Sequence, residues 1–593
     1  MNENKYSWNL DDIVSLESYQ DLFDKTRKGI DEIVDFFEAK MYPAMTTENF
    51  IEFTRMREAD IEGMHRLSSR ADLMESTNQD DKLALKLKNQ LKDLHIYHSE
   101  KAQKISQWLM GKSVEDKELL DDDNARRLFA STPDLEFSFN YSRSLSEHML
   151  TEKEENLIIA KDGNGISVIN DLRDITETGF RFHFKPEGRK KEIKETLAEI
   201  NALTYSPDAA VRKEAYRARF YEYSKNIDKF FVIYQAIVKD WNYEAKIRNY
   251  PTAISMRNSS NMVGDGAIET LVDVCTKNNE IFQRFFKYKA KLLGIEKLTR
   301  FDIYAPLGED GSSISFEDAK KTVLEAFEEF SPDFASKAKE IIDANHIDSH
   351  PAASKRGGAF CATVAPSIKP YVLLNFSGKT RDVSTLAHEL GHGVHSLYAA
   401  GNSILTQHPP LPLAETASTF AEMVLFEKLL DKTNDNEKKK LMLADKISDS
   451  YASIVRQNYF IKFEIEAHKK LQEGITEPEL SAMWLDTLHD QFGDSVEVDD
   501  MFRHEWAYIP HIHHTPFYCY AYNFGELLSM ALYKKYKDEG EVFIPKLQQI
   551  LSAGGSEEPA KILAMVGVDM SSADFWQSSF TIIESWVNQL EQL

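Results

Sequence analysis

Residues 388–392 read His-Glu-Leu-Gly-His. Two imidazoles four positions apart lie on one face of a helix, where both can reach a single metal ion. Glu389, next to the first of them, can contact a water beside the metal instead of the metal itself. A third ligand is available in Glu415, which follows a loop containing Gly401 and Pro409-Pro410-Leu411-Pro412. A catalytic zinc commonly takes two His and one Glu and leaves its fourth position for water. Glu422 lies two helical turns beyond Glu415, on the same face. It is read as the carboxylate that steadies a ligand histidine. The longer motif with a third histidine needs Gly and His three and six positions after His392. Those positions hold His395 and Tyr398, so that ligand set is excluded. His395, one turn from His392, is either a partner of a ligand or a structural histidine.

These residues need elements to carry them. Asp382 or Ser384 can cap a helix through the motif, and Leu386, Leu390 and Val394 give it an apolar stripe. Just before it, 357–364 and 370–376 read as two strands joined by the turn Ala365-Pro-Ser-Ile-Lys369. The small residues of Gly358-Ala-Phe-Cys-Ala362 suit an edge that binds an extended peptide through its backbone. Cys361 there is expected to be a small buried hydrophobe and not a nucleophile. Most of the remaining chain has helical periodicity, as in 193–203, 319–330, 437–472 and 526–536. Strand signals are few. Phe180-Arg-Phe-His-Phe184 closes a hairpin-like segment that starts near Ile158 and includes Asp162-Gly-Asn-Gly165, and Arg300-Phe-Asp-Ile-Tyr304 is another. The charged turn Pro186-Glu-Gly-Arg-Lys-Lys191 sets a boundary near residue 190. It divides a helical amino-terminal region, 1–190, from a larger catalytic region, 191–593.

Composition narrows the class of function. The chain has 593 residues, with 71 Lys and Arg against 96 Asp and Glu, a net charge of −25. Neutralising phosphates takes a basic face, so nucleic acid and anionic membrane surfaces are excluded as partners. Three cysteines, Cys275, Cys361 and Cys519, make no disulfide framework and fit a reducing compartment. The start, Met1-Asn-Glu-Asn-Lys-Tyr-Ser-Trp8, lacks the apolar stretch of a secretion signal, and no segment is apolar for long enough to span a bilayer. A cytoplasmic protein is expected.

His-Glu-Leu-Gly-His-Gly-Val-His395, with Glu415 in Ala-Glu-Thr-Ala-Ser, resembles the M3 family of zinc metallopeptidases, and within it the oligoendopeptidase F group. Trp8-Asn-Leu-Asp-Asp12, Leu203-Thr-Tyr-Ser-Pro-Asp-Ala-Ala-Val-Arg-Lys213, Ile509-Pro-His511 and Pro516-Phe-Tyr-Cys-Tyr-Ala-Tyr522 extend the resemblance over nearly the whole chain. It implies a mainly α, two-lobed helical metallopeptidase with a deep substrate channel and a small antiparallel β-sheet next to the zinc helix. It also implies one Zn²⁺ on His388, His392 and Glu415, Glu389 as the base that activates water, and cleavage inside short oligopeptides. His511 and Tyr522 are assigned by resemblance to transition-state contacts, with Tyr518 close behind. Their spacing of seven and four would place them on one helix face, and imidazole N–H and phenol O–H groups are suitable donors. His513, His514 and Tyr520 remain alternatives, because relatives commonly carry tyrosines where this chain has His513, His514 or Thr515. Two other readings stay open. One is a zinc carboxypeptidase with Arg503 holding the substrate carboxylate; the other is a non-catalytic peptide-binding scaffold. An aminopeptidase is disfavoured, since no Gly-Ala-Met-Glu-Asn-type segment is present. Oligomeric state is not legible.

Overall fold

Helical periodicity accounts for most of the chain. The computed structural model describes residues 7–308 and 313–593, with Glu152 described for its backbone alone. The reading of the start at Met1–Tyr6 therefore lies outside the described residues. The chain is mainly α and forms two units, each assembled from three separate segments.

The first unit comprises Met1–Glu147, Ser312–Asp431 and Lys535–Asp569. Its long helices Tyr19–Lys40, Thr47–Thr77 and Lys82–Leu109 pack together. The second and third begin at Thr46 and Asp81, whose side-chain oxygens accept from Asn49 N at 3.3 Å and Leu83 N at 2.8 Å. One apolar core is aromatic and includes Phe37, Phe50, Trp108, Phe129 and Phe139. Another joins Trp8, Leu10 and Ile13 to Leu67, Tyr371 and Leu373. Trp8 meets Tyr371 edge-on at 5.8 Å, and the Tyr371 hydroxyl donates to Asn9 O at 3.0 Å. The Trp8–Asp12 segment thus straps the back of a small sheet.

That sheet has the order Ile347–Asp348, Tyr371–Leu373, Phe360–Ala362. The pair expected from the sequence is antiparallel, with Cys361 opposite Val372. The sheet as a whole is mixed, because Ile347–Asp348 runs parallel to the central strand. It arrives from the helix Pro332–Asp343, and the chain then returns through the edge strand before it forms the centre. Phe360–Ala362 is therefore an edge, and it touches the helix Thr380–Tyr398 that carries the His-Glu-Leu-Gly-His motif.

In that motif helix Leu386, Leu390 and Val394 are fully buried. The helix starts earlier than the caps proposed for it. Asp382 is already inside, and its carboxylate reaches back to Lys379 N at 3.0 Å and Ser377 N at 2.7 Å. Ser384 lies further inside and caps nothing. The decisive packing is at Gly391. A Cβ there would lie 2.6 Å from Ser418 Cα and 2.7 Å from Ala417 O. The helix Thr416–Lys432 consequently rests directly on the backbone of the motif helix.

The second unit comprises His148–Gly311, Lys432–Lys534 and Met570–Leu593. Here several expectations are corrected. The segment from Ile158 through Gly165 is not a hairpin. It forms the helices Glu152–Asn164 and Ile166–Thr178, which meet at Gly165, and the first opens with a Thr151–Glu154 capping box. The strand Phe182–Phe184 does form, paired antiparallel with Glu192–Lys194, and Pro186–Lys191 is the turn between them. Ile193 belongs to the strand Glu192–Lys194; the helix expected from there starts only at Leu197, where Thr196 and Glu199 make a second capping box. In place of a strand at 300–304, Leu298–Thr299 pairs in parallel with Val496–Glu497. A turn follows in which Asp302 accepts from Thr299 N at 3.2 Å and Arg212 Nη2 at 2.6 Å. The periodic stretch 437–472 is interrupted. Asn436–Ser450 and Arg456–Glu473 are joined by a π-helical turn, Tyr451–Val455.

The Gly391 contact yields a test. Gly391→Ala forces a methyl group into backbone atoms and is expected to cost about 1–3 kcal/mol of stability. A lower midpoint in thermal denaturation together with weaker metal retention is the expected result. An unchanged midpoint contradicts the close approach.

Candidate metal centre

The motif helix presents His388 and His392 side by side. Their rings are 4.8 Å apart and nearly perpendicular, and their Nε2 atoms are 3.2 Å apart. Glu415 sits where the short helix Leu411–Ala414 gives way to Thr416–Lys432. Its Oε2 is 3.4 Å from each Nε2. An ion bound at about 2.0–2.1 Å by tetrahedral donors holds them about 3.3 Å apart. These three atoms already have that spacing, so the residues fit a metal ion without rearrangement.

The surroundings favour a cation. His388 Nδ1 lies 2.5 Å from Glu422 Oε1, on the same helix as the backbone contact at Gly391. Burial works against protonation of His388, but Glu415 and Glu422 outweigh it and lift its pKa to about 10. Burial also disfavours the Glu415 carboxylate, yet His388 and His392 hold its pKa well below the ordinary range. Ser418, one turn on, donates its hydroxyl to Glu415 Oε2 at 2.9 Å. Glu389 is buried, and burial raises its pKa, partly offset by the two histidines. A buried carboxylate with a raised pKa beside a metal position suits general base chemistry.

His395 does not join the ligands. It is buried, and burial and then His392 push its pKa down to about 3, so it is neutral. Its ring bonds to the backbone of Ala414, the residue before Glu415. Cys361 is partly buried near Glu389, and burial raises its thiol pKa well above the ordinary value, which suits an inert side chain.

The second unit brings His511, Tyr518 and Tyr522 together. The His511 and Tyr518 rings are 6.2 Å apart and parallel, and Tyr522 stands perpendicular to both at 5.7 and 5.3 Å. The Tyr522 hydroxyl is 3.2 Å from His511 Nε2. They do not share one helix face, as their spacing suggested. His511 lies in Pro510–His514 and Tyr522 in Tyr520–Glu539, while Pro516 lacks an N–H and restricts Thr515 before it to extended conformations. Burial first, then Arg456, lowers the His511 pKa and favours its neutral form. The alternatives point elsewhere. His513 is buried and bonds Ile509 O at 2.9 Å, His514 pairs with Asp174 at 3.0 Å, and the Tyr520 hydroxyl accepts from Asn261 at 2.6 Å. Arg503 is engaged with Asp500 at 3.1 Å.

Comparison with known proteins decides the family. The profile described as Peptidase family M3 matches residues 202–582. The chain belongs to peptidase family M3. Oligopeptidase PepF of Bacillus subtilis (strain 168) is 28% identical over 475 residues, which cover 76% of this chain and 69% of that protein. The plasmid-encoded oligoendopeptidase F of Lactococcus lactis subsp. cremoris is 27% identical over 449 residues, covering 75% and 74%. A solved chain from Chlamydophila abortus shares the fold, with a TM-score of 0.88 over 100% of this chain and 98% of that one at 21% identity. This M3 peptidase is a metalloendopeptidase. Among its described residues no helix is long and apolar enough to cross a membrane.

Two contributors to the M3 site went unnoticed in the sequence. Ser418 supports Glu415, and its only signal was a hydroxyl one turn past a candidate ligand. Gly391 lies inside the motif, and a glycine within a helical pattern is a known mark of close approach. Glu422 yields the test here. Glu422→Ala removes the Nδ1 partner of His388 and is expected to weaken metal affinity roughly 10- to 100-fold. Chelator-competition titration measures this, and unaltered affinity would show that His388 needs no such support.

Proposed function

We propose that this M3 peptidase is a zinc endopeptidase that hydrolyses peptide bonds within short oligopeptides, with Glu389 as its base. The observation that carries the reading is the spacing of His388, His392 and Glu415. Two imidazoles and one carboxylate suit zinc. The chemistry a bound zinc supplies is polarisation of the scissile carbonyl and acidification of the attacking water.

Glu389 takes the proton of that water and passes it to the departing amine. Its burial raises the basicity of the carboxylate and so favours the first transfer. His388, oriented by Glu422, and Glu415, steadied by Ser418, keep their ligand atoms aimed at one point. His511 and Tyr522 are assigned to donate hydrogen bonds to the oxyanion of the tetrahedral intermediate, with Tyr518 packed beside them. Their closeness supports a shared role: the Tyr522 hydroxyl lies 3.2 Å from His511 Nε2. The edge strand Phe360–Ala362 would hold an extended peptide through main-chain bonds, which are blind to side chains and suit broad sequence tolerance. The names of the relatives, oligopeptidase and oligoendopeptidase, support short peptides as substrates. The division near residue 190 is proposed only as the approach to the catalytic region, which the family match from 202 supports, since Pro186–Lys191 is itself a hairpin turn. A cytoplasmic site of action is proposed on the three free thiols.

A pool of peptides of mixed length, analysed by mass spectrometry with and without a chelator, tests the reading. Internal cuts in short peptides that disappear on chelation are expected, while stepwise trimming from one end contradicts it. Glu389→Ala is expected to lower kcat by at least about 10²- to 10⁴-fold with metal content unchanged. Unchanged turnover would remove Glu389 from the role of base.

A further inference from the structure

His511 and Tyr522 sit on separate helices, and the connection 515–519 sets their relation. Phe517, in the middle of it, has φ +58°, in the left-handed region that a side chain disfavours. Something must hold it there. Phe517 N–H donates to Glu464 Oε1 at 2.9 Å, and Glu464 projects, fully buried, from the helix Arg456–Glu473. One residue earlier, Arg257 Nε donates to Pro516 O at 3.0 Å. The Phe517 ring packs on His468 at 4.3 Å and Trp241 at 6.4 Å. Beyond it, Tyr520 is tied to Asn261. Tyr518 is thus clamped on both sides through its neighbours, and its own ring is left beside His511.

Glu464 is unusual among these anchors. Its Oε2 is buried and makes no protein hydrogen bond among the described residues. An ionised carboxylate there would hold its charge in a fully buried position with one oxygen lacking a protein hydrogen bond, which is costly; a neutral acid carries no net charge to desolvate. We propose that Glu464 is a positioning residue that works as an uncharged acid, its Oε1 accepting from Phe517 N–H to fix the turn that sets Tyr518 and Tyr522 against His511.

The groups facing Glu464 agree with an uncharged acid. Burial pushes its pKa up to about 8, against the opposing pull of the Phe517 N–H and of Arg257, the cation that faces it. Tyr234 and Cys519 also face it, and burial raises the pKa of both, so neither brings a charge near neutrality. The sign of the linkage follows. Between the ordinary carboxyl value of 4.5 and about 8, the folded protein keeps a proton that the unfolded chain has released. Glu464 therefore subtracts stability progressively as pH rises through that window and has no further effect above it.

The inference rests on the proposed roles of His511, Tyr518 and Tyr522 for its effect on turnover, but not for the state of the acid. Glu464→Gln keeps a carbonyl acceptor for Phe517 N–H and cannot ionise. Its kcat is expected to stay within about twofold of the parent, whereas Glu464→Ala, which frees the turn, loses roughly 10- to 100-fold in kcat with KM and metal content little changed. The thermal midpoint of the Gln variant should gain on that of the parent as pH is raised from about 5 to about 8. The infrared band of a protonated carboxyl should be present in the parent at pH 7 and absent from the Gln variant. If Gln loses as much activity as Ala, or the two midpoints run parallel with pH and no band is lost, the proposal is overturned. Should Ala fail to fold, the Gln comparison and the band still decide. If Tyr522→Phe and His511→Ala leave turnover intact while the band and the pH dependence behave as stated, it is the donor assignment that fails and not the neutral acid.

Discussion

Two helices meeting backbone to backbone at Gly391 set the geometry of the metal centre. Side chains on helices normally hold the axes 8–10 Å apart. Here the absence of a Cβ lets Thr416–Lys432 settle directly onto the motif helix. Only then can one short carboxylate, Glu415, reach the two ring nitrogens while Glu422, two turns along, reaches the far nitrogen of His388. The other parts of the unit reinforce that contact. The buried stripe Leu386, Leu390 and Val394 fixes the rotation of the motif helix, and neutral His395 pins the residue that precedes Glu415.

The second unit solves a similar problem by different means. His511, Tyr518 and Tyr522 come from two helices and a connection, so no single packed face can align them. Buried polar groups do it instead: Glu464 and Arg257 hold consecutive backbone groups, and Asn261 holds the Tyr520 hydroxyl. A packed small residue tolerates little change in volume, whereas a buried polar clamp tolerates little change in hydrogen bonding. The two units are therefore sensitive to different kinds of substitution.

Much of this was legible in the chain. The His-Glu-Leu-Gly-His spacing, the carboxylates at 415 and 422, the strand pair before the motif and the predominance of helix all follow from periodicity and residue type. The misreadings share a physical cause. Asp162-Gly-Asn-Gly165 has the composition of a turn, but the capping box at Thr151 had already committed the segment to a helix. Ile193 fitted a helical period and became a strand because it pairs with His183, ten residues upstream across the turn 186–191. The spacing of His511, Tyr518 and Tyr522 suggested one face, yet Pro516 interrupts the helix and tertiary contacts restore the cluster. Glu464 gave no sign at all, since a glutamate in an amphipathic stretch looks like a solvated one until its burial is known.

The two carboxylates against His388 tie metal uptake to its protonation. Glu415 and Glu422 against this imidazole favour its protonated form when no metal competes. A proton on His388 offsets only one of the two acids against it, whereas a divalent ion would offset both. A divalent ion entering the site would displace that proton, so binding would be linked to proton release. Lower pH would therefore weaken metal binding at His388.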